Sequence, residues 1–138
     1  MARSHKKRDT GCPIAFALDT FGDRWSLMII RDIALLGSRT YGEFRSTAEK
    51  IATNVLADRL QELEADGIIR KSRDPENKRR NIYTLTEKGC DLIPIILDMV
   101  LWSAKYDRNT KVGARFLNKI KRDRDGFEME IRTRLKDD

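Results

Sequence analysis

Apolar positions at helical spacing dominate the first part of the chain. Between Trp25 and Gly37 they fall at positions 25, 28, 29, 33 and 36, which predicts a central helix that ends at Gly37. A shorter apolar helix is predicted to begin at Pro13 and to stop at Gly22, because proline suits a first helical turn and glycine favours an ending. The core therefore opens with two consecutive helices, the second of them capped by Asp23.

A second pair of helices is predicted after Gly37. The pattern indicates a short helix over about residues 41–46 and a longer one over about 52–65, with Gly67 as its C-terminal cap. The longer helix carries apolar residues on one face and polar residues at positions 54, 58 and 61 on the other. The apolar face consists of Leu56, Leu60 and Leu63.

The hydrophobic period changes beyond residue 67. Residues 68–73 and 81–85 have strand character, and residues 74–77 between them have the composition of a turn. Residues 78–80 then form a basic loop. A β-hairpin of about residues 68–85 is therefore predicted, and we call this hairpin the wing.

One long helix and a basic extension complete the prediction. Thr86 is expected to cap an apolar helix that runs to about Tyr106, with a kink rather than an end at Pro94. Gly126 is expected to divide the amphipathic stretch that follows into two pieces. The predicted fold is α+β and mostly helical: a winged helix-turn-helix with flanking helices on both sides. The expected division is a basic N-terminal arm at 1–11, the winged domain at 12–107 and a basic C-terminal extension at 108–138.

The charge distribution favours a polyanionic partner. The 138-residue chain has a formal net charge of +6, and 36% of its residues are charged. Residues 68–80 hold six basic and two acidic side chains, so a net +4 falls in the wing alone. Lys78, Arg79 and Arg80 are expected to contact the phosphates or the minor groove of double-stranded DNA.

The polar face of the 52–65 helix supplies candidate base contacts. The second helix of a helix-turn-helix enters the major groove and presents polar side chains to base edges. Arg59 lies to one side of this face and should reach a phosphate or an acidic neighbour. The alternative is a winged-helix protein-interaction module without specific DNA binding, in which the basic wing has no role in binding or contacts an acidic partner. The recognition-helix candidates are Thr53, Asn54, Asp58, Arg59 and Gln61.

The sequence contains no motif that indicates catalysis, metal binding or a membrane span. His5 is the single histidine, it has no cluster of carboxylates or cysteines at ligand spacing, and no glycine-rich phosphate loop is present. We expect no enzyme activity, no catalytic residues, no metal and no cofactor. Cys12 and Cys90 are too few for a disulfide framework, and the longest apolar runs are far shorter than a membrane span. A cytoplasmic protein without membrane contact is expected.

Several segments, in order, resemble the HxlR-type winged helix-turn-helix transcriptional regulators. The resemblance spans about residues 12–107 and implies a homodimer that binds operator DNA, more often as a repressor, through the helix at 52–65 and the wing. It also implies dimerisation through residues 13–21 and about 87–107. The spacing alone leaves Trp102 either in that interface or in the core. The matching segments are 12–14 (CPI), 22–25 (GDRW), 39–44 (RTYGEF), 56–69 (LADRLQELEADGII), 83–89 (YTLTEKG), 92–94 (LIP) and Trp102.

The resemblance also raises the hypothesis that Cys12 is a redox sensor. Some regulators of this type sense oxidants or electrophiles through a cysteine at this position, and the helix start and basic arm favour a thiolate. If Cys12 is such a sensor, the activity of the protein would respond to an oxidant or a small-molecule effector. The alternative is an ordinary buried cysteine, which is the expectation for Cys90. The extension at 108–138 could enlarge the dimer interface, touch flanking DNA or form a solvated helix.

Overall fold

A computed structural model describes residues 10–47 and 49–137. The predicted basic arm therefore lies outside the described residues up to residue 9. Within the described ranges the chain forms eight helices and one two-stranded antiparallel sheet. The helices are α1 (Pro13–Phe21), α2 (Ser26–Leu35), α3 (Tyr41–Arg45), α4 (Thr53–Ala65), α5 (Glu87–Cys90), α6 (Ile93–Tyr106), α7 (Ala114–Arg122) and α8 (Arg124–Asp137). The strands are β1 (Ile69–Asp74) and β2 (Asn77–Leu85).

Helix α2 lies at the centre of the core and packs against α6, α8 and β2. Asp23 caps its start as predicted: the Oδ2 atom accepts hydrogen bonds of 3.0 Å from the backbone N–H groups of Trp25 and Ser26. The prediction is wrong at Leu36, which is 61% exposed because the helix ends at Leu35 and the chain turns away. The buried residues of α2 include Ile29, Ile30, Ile33 and Ala34.

Helices α3 and α4 form the helix-turn-helix. A capping box starts α3: the Thr40 hydroxyl accepts from the Glu43 N–H at 3.3 Å, and the Glu43 carboxylate accepts from the Thr40 N–H at 3.1 Å. Phe44 of α3 is buried and packs edge-to-face on Tyr83 of β2. This contact docks the short helix on the wing.

Helix α4 ends in a Schellman motif. The Ile68 N–H donates to the Leu63 carbonyl at 2.9 Å, and the Gly67 N–H donates to the Glu64 carbonyl at 3.0 Å. Gly67 adopts φ +73°, a left-handed conformation that glycine adopts without steric cost. The predicted cap is confirmed, and it turns the chain directly from α4 into β1.

The wing differs from its prediction in one respect. Strand β2 begins at Asn77, eight residues before its end, so residues 78–80 belong to the strand and not to a loop. Arg73 pairs with Asn81, but Asp74 pairs with Asn77, which leaves residues 78–80 as a bulge in β2. A tight turn at residues 75–76 explains the early start of β2. The Asp74 carboxylate accepts a hydrogen bond of 2.9 Å from the Glu76 N–H, and β2 begins at the next residue.

The helix after the wing ends before Pro94 instead of bending there. Helix α5 stops at Cys90, and α6 begins at Ile93 with Pro94 in its first turn. Proline suits this position because the N–H groups of a first turn have no partner inside the helix. Thr86 caps α5 as predicted, since its hydroxyl accepts from the Gly89 N–H at 3.1 Å.

The C-terminal extension folds back onto the core. Asp123 separates α7 from α8, whereas Gly126, the predicted divider, lies in the first turn of α8 and donates its N–H to the Asp123 carboxylate at 3.0 Å. Arg132 of α8 pairs with Asp91 at 2.7 Å. Three apolar side chains of the extension join the core: Ile120, Ile131 and Leu135. None of the helices in the described residues is both long and apolar enough to cross a membrane.

Candidate nucleic-acid interface

The outer face of α4 carries most of the predicted base-contacting residues. Thr53, Asn54 and Gln61 are exposed, and Asp58 is half-buried. The predicted apolar face is buried on the opposite side, through Leu56, Leu60 and Leu63. The structure thus places these four polar side chains on the side of the helix that a groove would meet.

The start of α4 is anchored to α3, but its first backbone N–H groups have no side-chain cap among the described residues. The Tyr41 hydroxyl donates to the Thr53 carbonyl at 3.0 Å, which fixes the first turn of α4 to α3. No side chain among the described residues caps the helix at Ala52, so its first backbone N–H groups remain available. Such a helix start favours a phosphate group. The sequence alone did not predict this positioning role of Tyr41. An aromatic residue at the start of α3, the first helix of the helix-turn-helix, could have indicated it.

Arg59 does not belong to this outer face. It is 6% exposed, and its guanidinium contacts the carboxylates of Asp58 and, at 3.6 Å, Asp23. Of the two expected partners, a phosphate and an acidic neighbour, the structure supplies the acidic one, and the DNA-contact prediction for Arg59 does not fit this environment. Arg59 instead ties α4 to the segment before α2.

Asp23 is the residue that organises this contact. Its burial acts to raise its pKa, but hydrogen bonds from the Ser26 hydroxyl and from the Trp25 and Ser26 N–H groups, with the charge of Arg59, lower that pKa overall. The carboxylate therefore stays ionised. Asp23 and Arg59 lie far apart in the sequence, so no local pattern could have paired them.

Of the three wing residues that are predicted to contact phosphates, Arg80 is paired with a carboxylate of the wing, whereas Lys78 and Arg79 are not. Arg80 donates to the Asp74 carboxylate from Nε at 2.9 Å and also from Nη2. The Glu76 N–H and the Arg80 guanidinium lower the pKa of Asp74. Lys78 and Arg79 are exposed, and their side chains make no ion pair with any described residue. These two side chains are the ones free to meet a phosphate.

The base of the wing is fixed to the recognition helix. Lys71 of β1 lies 3.7 Å from the Glu64 carboxylate at the end of α4, and the Tyr83 N–H of β2 donates to the Arg39 carbonyl at 2.8 Å. The latter bond attaches the segment before α3 to the sheet. Helix-turn-helix and wing therefore form one connected unit.

The two cysteines lie in different environments. Cys12 is exposed at the N-cap of α1, where its Sγ accepts a weak hydrogen bond from the Ala15 N–H at 3.5 Å. Cys12 is therefore not a buried residue of the single chain. Cys90 is buried, as expected, and burial raises the pKa of its thiol.

Helices α1 and α6 expose apolar side chains. None of the residues of α1 is buried, although the helix is mostly apolar, and Phe16 is 60% exposed. Trp102 of α6 is 67% exposed and stacks at an angle on Tyr106, so it is not a core residue. The exposed residues of α6 share one face at helical spacing: Ile95, Met99, Trp102 and Tyr106. Large apolar faces of this kind mark association surfaces.

A helix-turn-helix followed directly by a two-stranded wing defines a winged helix-turn-helix protein. The HxlR-like helix-turn-helix family model matches residues 20–111, and the chain belongs to that family. One curated relative, the uncharacterized HTH-type transcriptional regulator YdeP of Bacillus subtilis, is 36% identical over 105 residues, which cover 75% of this chain and 81% of YdeP. The family is one of DNA-binding transcriptional regulators, which are not enzymes.

Two solved structures share the fold. The redox regulator HypR in its oxidized form has a TM-score of 0.61 and 33% identity, covering 73% of this chain and all of that chain. The reduced form of the transcriptional regulator YodB from B. subtilis has a TM-score of 0.56 and 31% identity, covering 72% of this chain and 98% of that chain.

Proposed function

We propose that this protein is a homodimeric transcriptional regulator that binds operator DNA, with α4 in the major groove and the wing on the adjacent backbone. The observation that carries the proposal is the pairing of an exposed polar face on α4 with two uncommitted basic side chains, Lys78 and Arg79. Repression is the expected outcome, because a dimer seated on a promoter blocks access by other proteins.

Selection of operators from random duplex DNA with the purified full chain tests this function. A two-fold symmetric consensus is expected, since a symmetric dimer reads two half-sites one or more helical turns apart. Enrichment of no sequence would contradict operator binding. It would instead favour the protein-interaction alternative.

Asn54→Ala is expected to weaken binding to the selected operator by roughly 1–3 kcal/mol, because an asparagine amide pairs with an adenine edge. Binding to unrelated duplex DNA should change little. Asn118→Ala, at an exposed asparagine of α7, is the matched control and should alter neither. Fluorescence anisotropy with both DNAs measures the effect, and an equal loss on both would rule out base reading by Asn54.

We place the dimer interface on α1 and α6. Trp102→Ala is expected to weaken the dimer by about 2 kcal/mol, or about 30-fold in the dissociation constant, because tryptophans that become buried in interfaces are frequent hot spots. Leu36→Ala, which removes a similarly exposed apolar side chain directly after α2, should leave the dimer intact. Sedimentation equilibrium compares the two variants. A wild-type chain that stays monomeric at micromolar concentration would contradict the interface.

We further propose that Cys12 responds to oxidants. An exposed thiol in a chain similar to the redox regulator HypR supports this assignment. Diamide should join the Cys12 thiols of the two protomers in a disulfide and itself take up their two protons and two electrons. Operator affinity of the wild type and of Cys90→Ala should then fall by at least several-fold, and that of Cys12→Ser should stay unchanged. Affinity measured before and after treatment checks the prediction. An equal response in Cys12→Ser would remove Cys12 from the mechanism.

A further inference from the structure

A pocket of about 550 Å³ lies where the base of the wing meets α5 and α8. One wall comes from Arg70 of β1 and Thr84 of β2, and the opposite wall comes from Arg132 and Lys136 of α8. Its size falls within the range of small-molecule sites, about 300–1,000 Å³. Because α8 lies beyond residue 111, the wall it supplies is outside the segment that the family model matches.

The charges around this pocket are predominantly positive. Three cationic side chains, those of Arg70, Arg132 and Lys136, face a single acidic one, that of Glu87. Arg132 is partly buried and is positioned by its 2.7 Å ion pair with Asp91, which occupies one of its nitrogen atoms. Its other N–H groups remain available as donors, since a guanidinium has five of them.

The remainder of the lining combines apolar side chains with the threonines Thr84, Thr86 and Thr133, and one of their hydroxyls is unusual. Leu85, Leu135 and Cys90 are buried and form an apolar surface. The Oγ1 atom of Thr84 is buried and has no hydrogen-bond partner among the described residues. Because this atom is closed off from solvent in the ligand-free chain, a hydrogen bond from a ligand requires rotation of the Thr84 side chain towards the pocket, and that bond would supply the missing partner.

We propose that this pocket binds a small organic anion that carries an apolar body. The cationic wall pairs with the anionic group, the Thr84 hydroxyl adds a hydrogen bond, and the apolar surface covers the body of the ligand. A bound molecule contacts both the wing strands and α8. It therefore shifts the position of the wing and changes operator affinity, and this second part rests on the proposed function.

The probe is 8-anilinonaphthalene-1-sulfonate, with N-phenyl-1-naphthylamine as its uncharged counterpart. Methyl-¹³C-methionine labelling of the full chain provides two reporters by NMR. Met129 lines the pocket, whereas Met99 lies on the exposed apolar face of α6. The sulfonate should shift the Met129 methyl signal at concentrations where the uncharged compound does not.

Arg70→Gln/Lys136→Gln is expected to raise the dissociation constant read at Met129 about tenfold, which corresponds to about 1.4 kcal/mol for the loss of two solvent-exposed charge contacts. Thr84→Val should raise it by a smaller factor without unfolding the chain. Lys111→Gln/Lys121→Gln, which removes the same charge from exposed positions elsewhere, should leave it unchanged. A shift at Met99 alone, or an equal response to both probes, would overturn the site.

The regulatory part has its own readout. The sulfonate should change the operator dissociation constant several-fold for the wild type and for Lys111→Gln/Lys121→Gln. Thr84→Val should need a higher sulfonate concentration for the same change, in proportion to its weaker binding at Met129, because coupling between two sites is reciprocal. An unchanged operator affinity with a normal Met129 shift would overturn the coupling. If the free protein binds no DNA, the proposed function fails while the Met129 shift still establishes the pocket.

Discussion

Replacing Lys78 and Arg79 together by alanine is expected to weaken binding to any duplex DNA by about 60-fold per protomer at 0.1 M salt. Each phosphate contact releases about 0.9 counterion, so the loss of two contacts removes about 1.8 from the slope of log affinity against log salt. A slope that differs by about 1.8 over the tenfold range from 1 M to 0.1 M salt corresponds to an affinity that differs by about 60-fold at 0.1 M. Affinities at four or five salt concentrations on operator and non-operator DNA provide the measurement.

Two controls make this prediction specific to the wing. Lys111→Ala/Lys121→Ala removes the same charge elsewhere and should leave the slope nearly unchanged. Arg80→Ala removes a third basic side chain of the bulge, but Arg80 is engaged with Asp74, so the slope should change by well under 1. If Arg80→Ala matches the double variant, or the Lys111/Lys121 control flattens the slope, the assignment of the two contacts is wrong.

The contrast between Arg80 and its neighbours shows what a charge count leaves out. The net +4 of residues 68–80 is correct as a sum, but it does not say which of the cationic side chains are engaged by partners inside the hairpin or at its base. Arg73 donates to the Lys78 carbonyl, and Lys71 pairs with Glu64 of α4. These partners depend on the register of the strands, which the bulge at residues 78–80 sets. Composition alone could not predict that bulge.

Local signals were the reliable ones. The leucine spacing in α4, the Gly67 cap and the Thr86 cap depend on residues within one or two turns of each other, and the structure confirms all three. The same local reasoning failed at Pro94 and Gly126. Both residues are compatible with a first helical turn as well as with a break, and the choice depends on how α6 and α8 pack.

Tertiary packing decided the role of the extension. Its amphipathic spacing was visible in the sequence, but the three expected roles were a larger dimer interface, contact with flanking DNA and a solvated helix, and packing on the core of its own chain was not among them. In the structure Ile131 and Leu135 enter the core, and the Arg134 guanidinium donates to the Ala34 carbonyl of α2. The partners lie about a hundred residues apart in the chain, so no spacing rule could have selected α2 from the alternatives.

Asp23→Ala is expected to lower the free energy of unfolding at pH 7 by roughly 3 kcal/mol. The change leaves the buried Arg59 guanidinium with one carboxylate fewer, and breaking a buried ion pair costs about 3–5 kcal/mol. The lower end applies because Asp58 remains as a partner. The Trp25 and Ser26 N–H groups also lose their acceptor. Urea unfolding followed by circular dichroism measures the difference.

Three further variants distinguish the buried charge from lost contacts in general. Asp98→Ala removes a carboxylate that is mostly exposed and pairs with Arg124, so it should cost less than about 1 kcal/mol. Asp23→Asn keeps an acceptor for the backbone N–H groups and should cost less than Asp23→Ala. Adding Arg59→Met to Asp23→Asn should restore part of the stability, because it removes the buried guanidinium that has lost a carboxylate partner, while Asp58 and Glu62 lose the cation beside them. Failure of that second change to help would show that Arg59 is not the source of the cost.

The same pair predicts a pH dependence with a definite sign. The pKa of Asp23 is lowered in the folded chain, below the value of about 3.9 for an unfolded aspartate. Its stabilisation is therefore complete above about pH 4 and is lost as the pH falls through the folded value. The stability difference between wild type and Asp23→Ala should be largest near neutral pH and should shrink in acid. A difference that stays constant down to pH 2.5 would mean that Asp23 acts through packing and not through its charge.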